Sequence, residues 1–213
     1  MLDNLSGALR AVTDSLLVPC LIVLLILLAA SVFLIGTLIV EAFTERLRLK
    51  AKLPALADAL RSGEPESVIN DSGLLRRQKE ALLEVTRHPD LTPDMRESLA
   101  ARLVEKERSY YDGIVKITDI IAKLGPMFGL LGTLIPLGPG IIALGRGDTF
   151  TLSQSLLTAF DTTVVGLVAA APAVVISAIR KRWYADYMKS LEMAMECLVT
   201  ELNTRSEQKE TIE

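Results

Sequence analysis

The sequence predicts an all-α integral membrane protein: three transmembrane helices, long helices extending from them into the cytoplasm, and a small helical cytoplasmic domain. Three observations carry this. Apolar runs occupy residues 16–40, 124–144 and 152–179, uncharged except for Asp161, and each meets or exceeds the ~20 apolar residues a helix needs to cross a bilayer. Half of the 213 residues are hydrophobic and mean hydropathy is +0.38, gathered in blocks where one soluble core would spread it. No alternating apolar and polar pattern extends beyond four residues, so no strands are expected.

Charge sets the topology. Of the 23 Lys and Arg residues, fifteen fall in 41–123 and six in 180–213, leaving only Arg10 and Arg146 elsewhere. The positive-inside rule therefore puts 41–123 and 180–213 in the cytoplasm, with the N-terminus and the loop after the second run outside. Fifteen acidic residues in 41–123 balance its basic ones, so the long-range field is weak and nucleic-acid binding is excluded as a reading.

Residues 1–15 read as an external amphipathic segment with Leu2, Leu5, Leu9 and Val12 on one face, suited to a membrane surface. The run 16–40, rich in Leu, Ile and Val, suits a peripheral, lipid-facing first span. Its 25 uncharged residues exceed the ~7–15 of a signal-peptide core, so it is read as a retained span. Cys20 lies near its outer end and Cys197 on the cytoplasmic side, too far apart to pair.

Within the cytoplasmic helical domain, 41–123, residues 44–63 have helical apolar spacing through Leu47, Leu49, Leu53, Leu56 and Leu60. Residues 64–73 read as a break containing one helical turn, and 73–89 as a second amphipathic helix closed by Pro89. Thr92 followed by Pro93 has the form of an N-cap and a first-turn proline. The helix starting there should continue into the second span, and its 31 residues before position 124 would extend ~45 Å. Glu105 and Glu107 read as members of a solvated helix face. A seven-residue external loop, 145–151, joins the second and third spans. Beyond 179, Arg180, Lys181 and Arg182 with Trp183, Tyr184 and Tyr187 read as anchors at the inner interface. Helical spacing continues through 190–202, and 203–213 reads as disordered.

The chemistry concentrates in the second and third spans. Gly125, Gly129, Gly132, Thr133, Pro136 and Gly140 recur every three or four residues, giving a nearly bare face that a neighbouring helix can approach closely. Pro136 lacks the amide that would bond toward Gly132, which frees a carbonyl beside Thr133. Gly125, Gly129, Gly132 and Pro136, with Pro172 of the third span, are the expected helix-packing positions. In the third span, Thr158, Asp161 and Thr162 cluster within one turn, while Thr163 stands about 200° from Asp161. A carboxylate at that depth costs roughly 2.5–3.5 kcal/mol to insert, which makes Asp161 a candidate for an ion pathway or a buried polar partnership. Thr133 lies nine residues from the cytoplasmic start of its span and Thr163 eleven from the external start of its antiparallel neighbour, so the two hydroxyls share a mid-membrane level. Hydroxyls there can relay a proton through water or hold a sodium ion. Thr133, Thr158, Asp161, Thr162 and Thr163 are the candidate ion-pathway residues.

Enzyme chemistry has little to stand on. His88 is the only histidine and sits beside Pro89 in a loop, no Cys and His spacing fits a metal, and no phosphate-binding loop motif occurs. No cofactor or metal is expected.

The stretch GPMFGLLGTL followed, after a short loop, by AFDTTVVGLVAAAPAVV resembles the MotA/TolQ/ExbB proton channel family, closest to the TolQ and ExbB branch. The similarity runs from residue 124 to 179; elsewhere it is one of layout. The family's Gly-Thr of the second span matches Gly132 and Thr133, its Thr before Gly-Leu matches Thr163, and its Pro-Ala-Val-Val run begins at Pro172. The resemblance implies that the two threonines line an ion path. It also implies a pentamer around two copies of a single-crossing ExbD-, TolR- or MotB-like partner, whose aspartate is protonated and released as ion flow turns one component against the other. Two departures stand out. The family's early glutamate of the third span falls at Thr158, with Asp161 one turn later instead, and Pro136 with Pro139 should kink the second span. The other reading is a structural or signalling oligomeric scaffold without ion conduction, whose small-residue faces serve assembly alone.

Overall fold

The computed structural model describes residues 2–46, 59 and 65–212, and every described element is helical. Helix α1 (Leu2–Ser15) and α2 (Leu17–Glu41) are separated by Leu16 alone, and a π-helical turn, Ala42–Arg46, closes α2. There follow α3 (Pro65–Asp71), α4 (Arg76–Thr86), α5 (Pro93–Gly145) and α6 (Thr149–Ile212). Three helical stretches, Gly7–Thr44, α5 and α6, are long and apolar enough to cross a membrane. Most of the amphipathic helix expected over 44–63 lies outside the described residues, and residues 65–71 form two turns where one was expected.

The chain divides into two compact units. One comprises residues up to Leu38 with Val115–Ile179, the other Ile39–Ile114 with everything from Arg180 onward. In the first unit α2 buries Cys20, Leu24, Leu27, Ser31 and Leu34, alternating steps of four and three that form one helix stripe. Leu27 and Leu34 pack with Ile121 of α5 and Ala169, Ala173 and Ile176 of α6. Ile22, Leu25, Ile26 and Phe33 point outward, as a lipid-facing helix requires. Pro126, Pro136 and Pro139 do not interrupt α5, nor Pro172 α6. Each proline deletes one bond of the ladder, and in an apolar medium the flanking amides have no water to turn to, so the helix continues through Pro136 and Pro139.

The connector between α5 and α6 is three residues, Arg146 to Asp148, rather than seven. The Gly147 amide donates to Leu144 O at 3.0 Å and the Asp148 amide to Ala143 O at 2.9 Å, a helix stop that requires the left-handed φ of 78° found at Gly147. Asp148 then starts α6 by accepting from the Thr151 amide at 3.0 Å. The Thr151 hydroxyl and amide hold the Asp148 carboxyl below the ordinary carboxylate range, so this cap is complete near neutral pH and is lost as pH falls through the lowered value.

In the second unit the start of α4 is held by Gln78, its third residue, which is buried. Its Oε1 accepts from the Leu75 amide at 3.0 Å and its Nε2 donates to Tyr187 O at 2.8 Å. Glu107 is not on a solvated face. It is buried and takes two bonds from Arg77, at 2.8 and 3.0 Å, while the guanidinium lies 3.7 Å above the Tyr110 ring. The hydrogen bond to Glu107 leads the causes that raise the Arg77 pKa. Trp183, Tyr184 and Tyr187 are buried in this unit instead of serving as interface anchors, with the Tyr111 and Tyr184 rings 4.6 Å apart. Arg180, also buried, bonds Glu41 at 3.1 Å.

Residues 203–212 are helical, not disordered. The physical reason is a contact from far along the chain. Arg96, 2% exposed, donates to Asn203 Oδ1 and, through Nη2, to Pro89 O at 3.1 Å and Leu91 O at 3.2 Å. One guanidinium thus ties the loop before α5 to the end of α6. Arg96→Ala should strip three bonds to a charged donor and destabilise this unit by roughly 2–3 kcal/mol. Hydrogen exchange should accelerate over 203–212 while the amides of 158–170 keep their protection.

Candidate functional site

Helices α5 and α6 meet backbone to backbone. A β-carbon added at Gly125 would stand 2.7 Å from Gly166 O and 2.9 Å from Ala170 Cβ. At Gly132 it would stand 2.7 Å from Thr162 Cβ, and at Gly140 2.9 Å from Ser155 Cβ. From the other side, a β-carbon at Gly166 would lie 2.6 Å from Gly125 O and 2.9 Å from the Gly129 Cα. The α6 partner numbers fall as the α5 numbers rise, which defines an antiparallel pair. The bare face read in the sequence is therefore occupied by α6 of the same chain, and it is not free to drive assembly between chains. Ala169 and Ala173, both fully buried, continue this close packing.

The register sorts the polar residues. Thr162 lies inside the seam at 3% exposure, opposite Gly132, and its hydroxyl bonds Thr158 O at 3.1 Å and Ala159 O at 2.9 Å. Thr133 and Thr163 fall at this level and are half-buried. Their hydroxyls donate to Leu130 O at 2.7 Å and Ala159 O at 3.1 Å, and Thr158 donates to Gln154 O at 3.1 Å. All four threonines thus spend their proton on their own helix, so what remains for a visitor is oxygen lone pairs, a set suited to a cation or a water proton. Asp161 is exposed on the single chain, and no described residue hydrogen-bonds or ion-pairs with it.

Two features escaped the sequence. Ser177 donates a hydrogen bond to Asp119 Oδ1 at the far end of the same helix pair. Ser177 is the one hydroxyl in the otherwise apolar second half of the third run, which is the signal that could have flagged it. Near the connector, an open and largely apolar groove of about 410 Å³ runs between the helices, lined by Leu17, Ile135, Pro136, Pro139 and Phe150 together with Thr151, Gln154, Ser155 and Thr158. Pro136 stood out in the sequence for its missing amide, but a groove depends on how the helices are rotated. Pro172 is half-buried on α6.

A pair of antiparallel membrane-length helices with a mid-span acid and back-bonded threonines defines a multi-pass helical membrane protein with polar side chains set in its apolar unit. The model of the MotA/TolQ/ExbB proton channel family matches residues 70–193, more than half of the chain, and the protein belongs to that family. It is similar to the biopolymer transport protein exbB1 of Vibrio cholerae serotype O1, at 27% identity over 113 residues. The match spans 49% of this chain and 48% of that relative, about half the length of each.

The seam makes a sharp demand on side-chain size. Gly166→Ala drives a methyl group into the Gly125 and Gly129 backbones and should destabilise the helix pair by about 1–3 kcal/mol. Gly113→Ala, on the same α5 but with open space around it, should stabilise by roughly 0.5–1 kcal/mol. Thermal unfolding of the two variants in detergent reads this opposite sign.

Proposed function

We propose that this chain is the ion-conducting stator subunit of a motor in the cytoplasmic (inner) membrane, which uses the proton motive force to energise a distant target through a single-crossing partner. The observation that carries the reading is Asp161. It lies in a membrane-length apolar helix and faces outward from the single chain with no protein partner, although a carboxylate facing acyl chains costs roughly 2.5–3.5 kcal/mol. Such a group calls for a polar or hydrated surface from another chain. Thr133 and Thr163, half-buried at one level with their lone pairs free, supply oxygen ligands along the same route.

Family membership supports the rest of the assembly. Copies of this chain, five on the family pattern, surround two single-crossing ExbD-, TolR- or MotB-like helices, and the partner's aspartate is protonated at the level of Thr133 and Thr163. The uneven Lys and Arg distribution orients the N-terminus outward and the C-terminus into the cytoplasm. Protons are the ion on this reading, and a sodium-coupled variant would use the same oxygens. Thr158 occupies the family's glutamate position, and Asp161, one turn on, takes over its carboxylate role.

Ion flux in vesicles carrying the chain with its co-purified partner tests the proposal. Asp161→Asn should abolish flux while the protein still inserts. Thr133→Val and Thr163→Val should each lower it about tenfold, the equivalent of one lost hydrogen bond of ~1.5 kcal/mol to a charged species. Leu134→Val, at an exposed site beside Thr133, should leave it unchanged. Full flux in the Asn variant would remove Asp161 from the mechanism, and tolerance of both Val variants would favour the scaffold reading.

A further inference from the structure

Beside the groove already described, and sharing Ile135, Pro139 and Thr151 with it, a second open groove of about 720 Å³ runs along α5. Its lining is sorted by chemistry. The apolar part comes from the second span, with Leu134, Gly138, Ile141 and Ile142 among it. The polar part comes only from residues outside the apolar runs: Arg146 and Asp148 of the connector, Thr151 in the first turn of α6, and Thr13 of α1. Leu134 and Ile141 are 58% and 65% exposed, so the open side of the groove meets the acyl chains of the bilayer. The twelve residues from Leu134 to Arg146 rise ~18 Å, close to the ~15 Å of hydrocarbon in one leaflet. At Gly138 an added β-carbon would meet nothing within 4 Å, so the groove is left unfilled partway along.

The charges at the connector end say what kind of molecule fits. Arg146 is exposed, and no described residue hydrogen-bonds or ion-pairs with its guanidinium. Asp148, two residues on, accepts from the Thr151 amide at Oδ1 and from the Thr151 hydroxyl at Oδ2, which leaves each oxygen a further lone pair. Those two bonds also keep the carboxyl ionised at neutral pH. A free guanidinium and a carboxylate above an apolar slot match a phosphoethanolamine head. Its phosphate accepts from Arg146 and its ammonium donates to Asp148. A purely anionic head would be repelled by Asp148, and a choline head has no N–H to donate.

We infer that this groove is a specific site for one zwitterionic phospholipid with a primary ammonium, drawn from the leaflet on the connector side. The head sits on Arg146 and Asp148, and one acyl chain runs along α5 past Gly138 to Leu134. The site needs no ion conduction, so it stands or falls apart from the stator reading above.

Native mass spectrometry of the full-length chain tests this, with the delipidated protein titrated by dioleoyl phosphatidylethanolamine, phosphatidylcholine or phosphatidylglycerol. The ethanolamine lipid should bind once per chain and about tenfold more tightly than the other two, as one charge-assisted hydrogen bond provides. Arg146→Gln should weaken all three. Asp148→Asn, whose amide oxygen still caps α6, should turn the preference toward the anionic glycerol lipid, a switch that loss of folding does not mimic. Gly138→Phe should fill the slot and cut binding at least tenfold, whereas Leu144→Phe, exposed and outside the groove, should not. Should Gly138→Phe fail to fold, the two connector variants decide alone. Equal affinity for the three lipids, a preference for the glycerol lipid in the unsubstituted chain, or an ethanolamine preference unmoved by both connector variants would overturn the site. Disulfide cross-linking of Ile141→Cys chains to one another in native membranes, absent from the unsubstituted chain, would overturn it too, giving the groove to a second copy.

Discussion

Backbone contact between α5 and α6 is the constraint on which the rest depends. In lipid no hydrophobic force drives two apolar helices together, so association relies on close packing, and glycine lets the backbones approach most nearly. Gly125 and Gly129 set against Gly166 bring the main chains to van der Waals distance and admit no added methyl. That contact fixes the rotation of α6 about its own axis. Thr162 is thereby sealed against Gly132, Thr133 and Thr163 come to the margins of the seam, and Asp161 is turned outward.

From this rotation follows what one subunit can and cannot do alone. Its seam is dry, with Ala169 and Ala173 fully buried, so no continuous route crosses the membrane between α5 and α6 of one chain. The polar groups capable of holding a cation stand at the edge of the seam or on the outer face of α6. On the proposed reading, a second chain completes the path built from them. The threonine hydroxyls, each bonded back to its own helix, need not reorganise to accept a cation, because their lone pairs already point away from the bond they donate.

Much of this was legible in the sequence. Membrane-length apolar runs stand out wherever charges are absent, and the Thr92 and Pro93 start of α5 is a local signal read within four residues. The glycine spacing announced a close approach, although not that the chain would fill it from within. Elsewhere the determinants are non-local. The end of α6 looks disordered because its residues are polar, yet Arg96, more than a hundred residues earlier, holds Asn203. Glu107 reads as solvated until Arg77 folds over it. Helix α2 is apolar on all sides, so periodicity could not say which face is buried; the structure puts the small Cys20 and Ser31 on it, with the Cys20 thiol bonded to Phe128 O at 3.3 Å. Thr162 and Asp161 are adjacent in sequence and part company only once the rotation of α6 is known.

The central claim is that Asp161, Thr133 and Thr163 border one hydrated space shared between chains. An electron cryo-microscopy structure of the native assembly in lipid nanodiscs tests it most directly. The account requires the three side chains of each copy to face a water-containing interior lined by neighbouring subunits and a single-crossing helix. Asp161 turned toward acyl chains, or Thr133 and Thr163 sealed in dry contact away from any such interior, would contradict it.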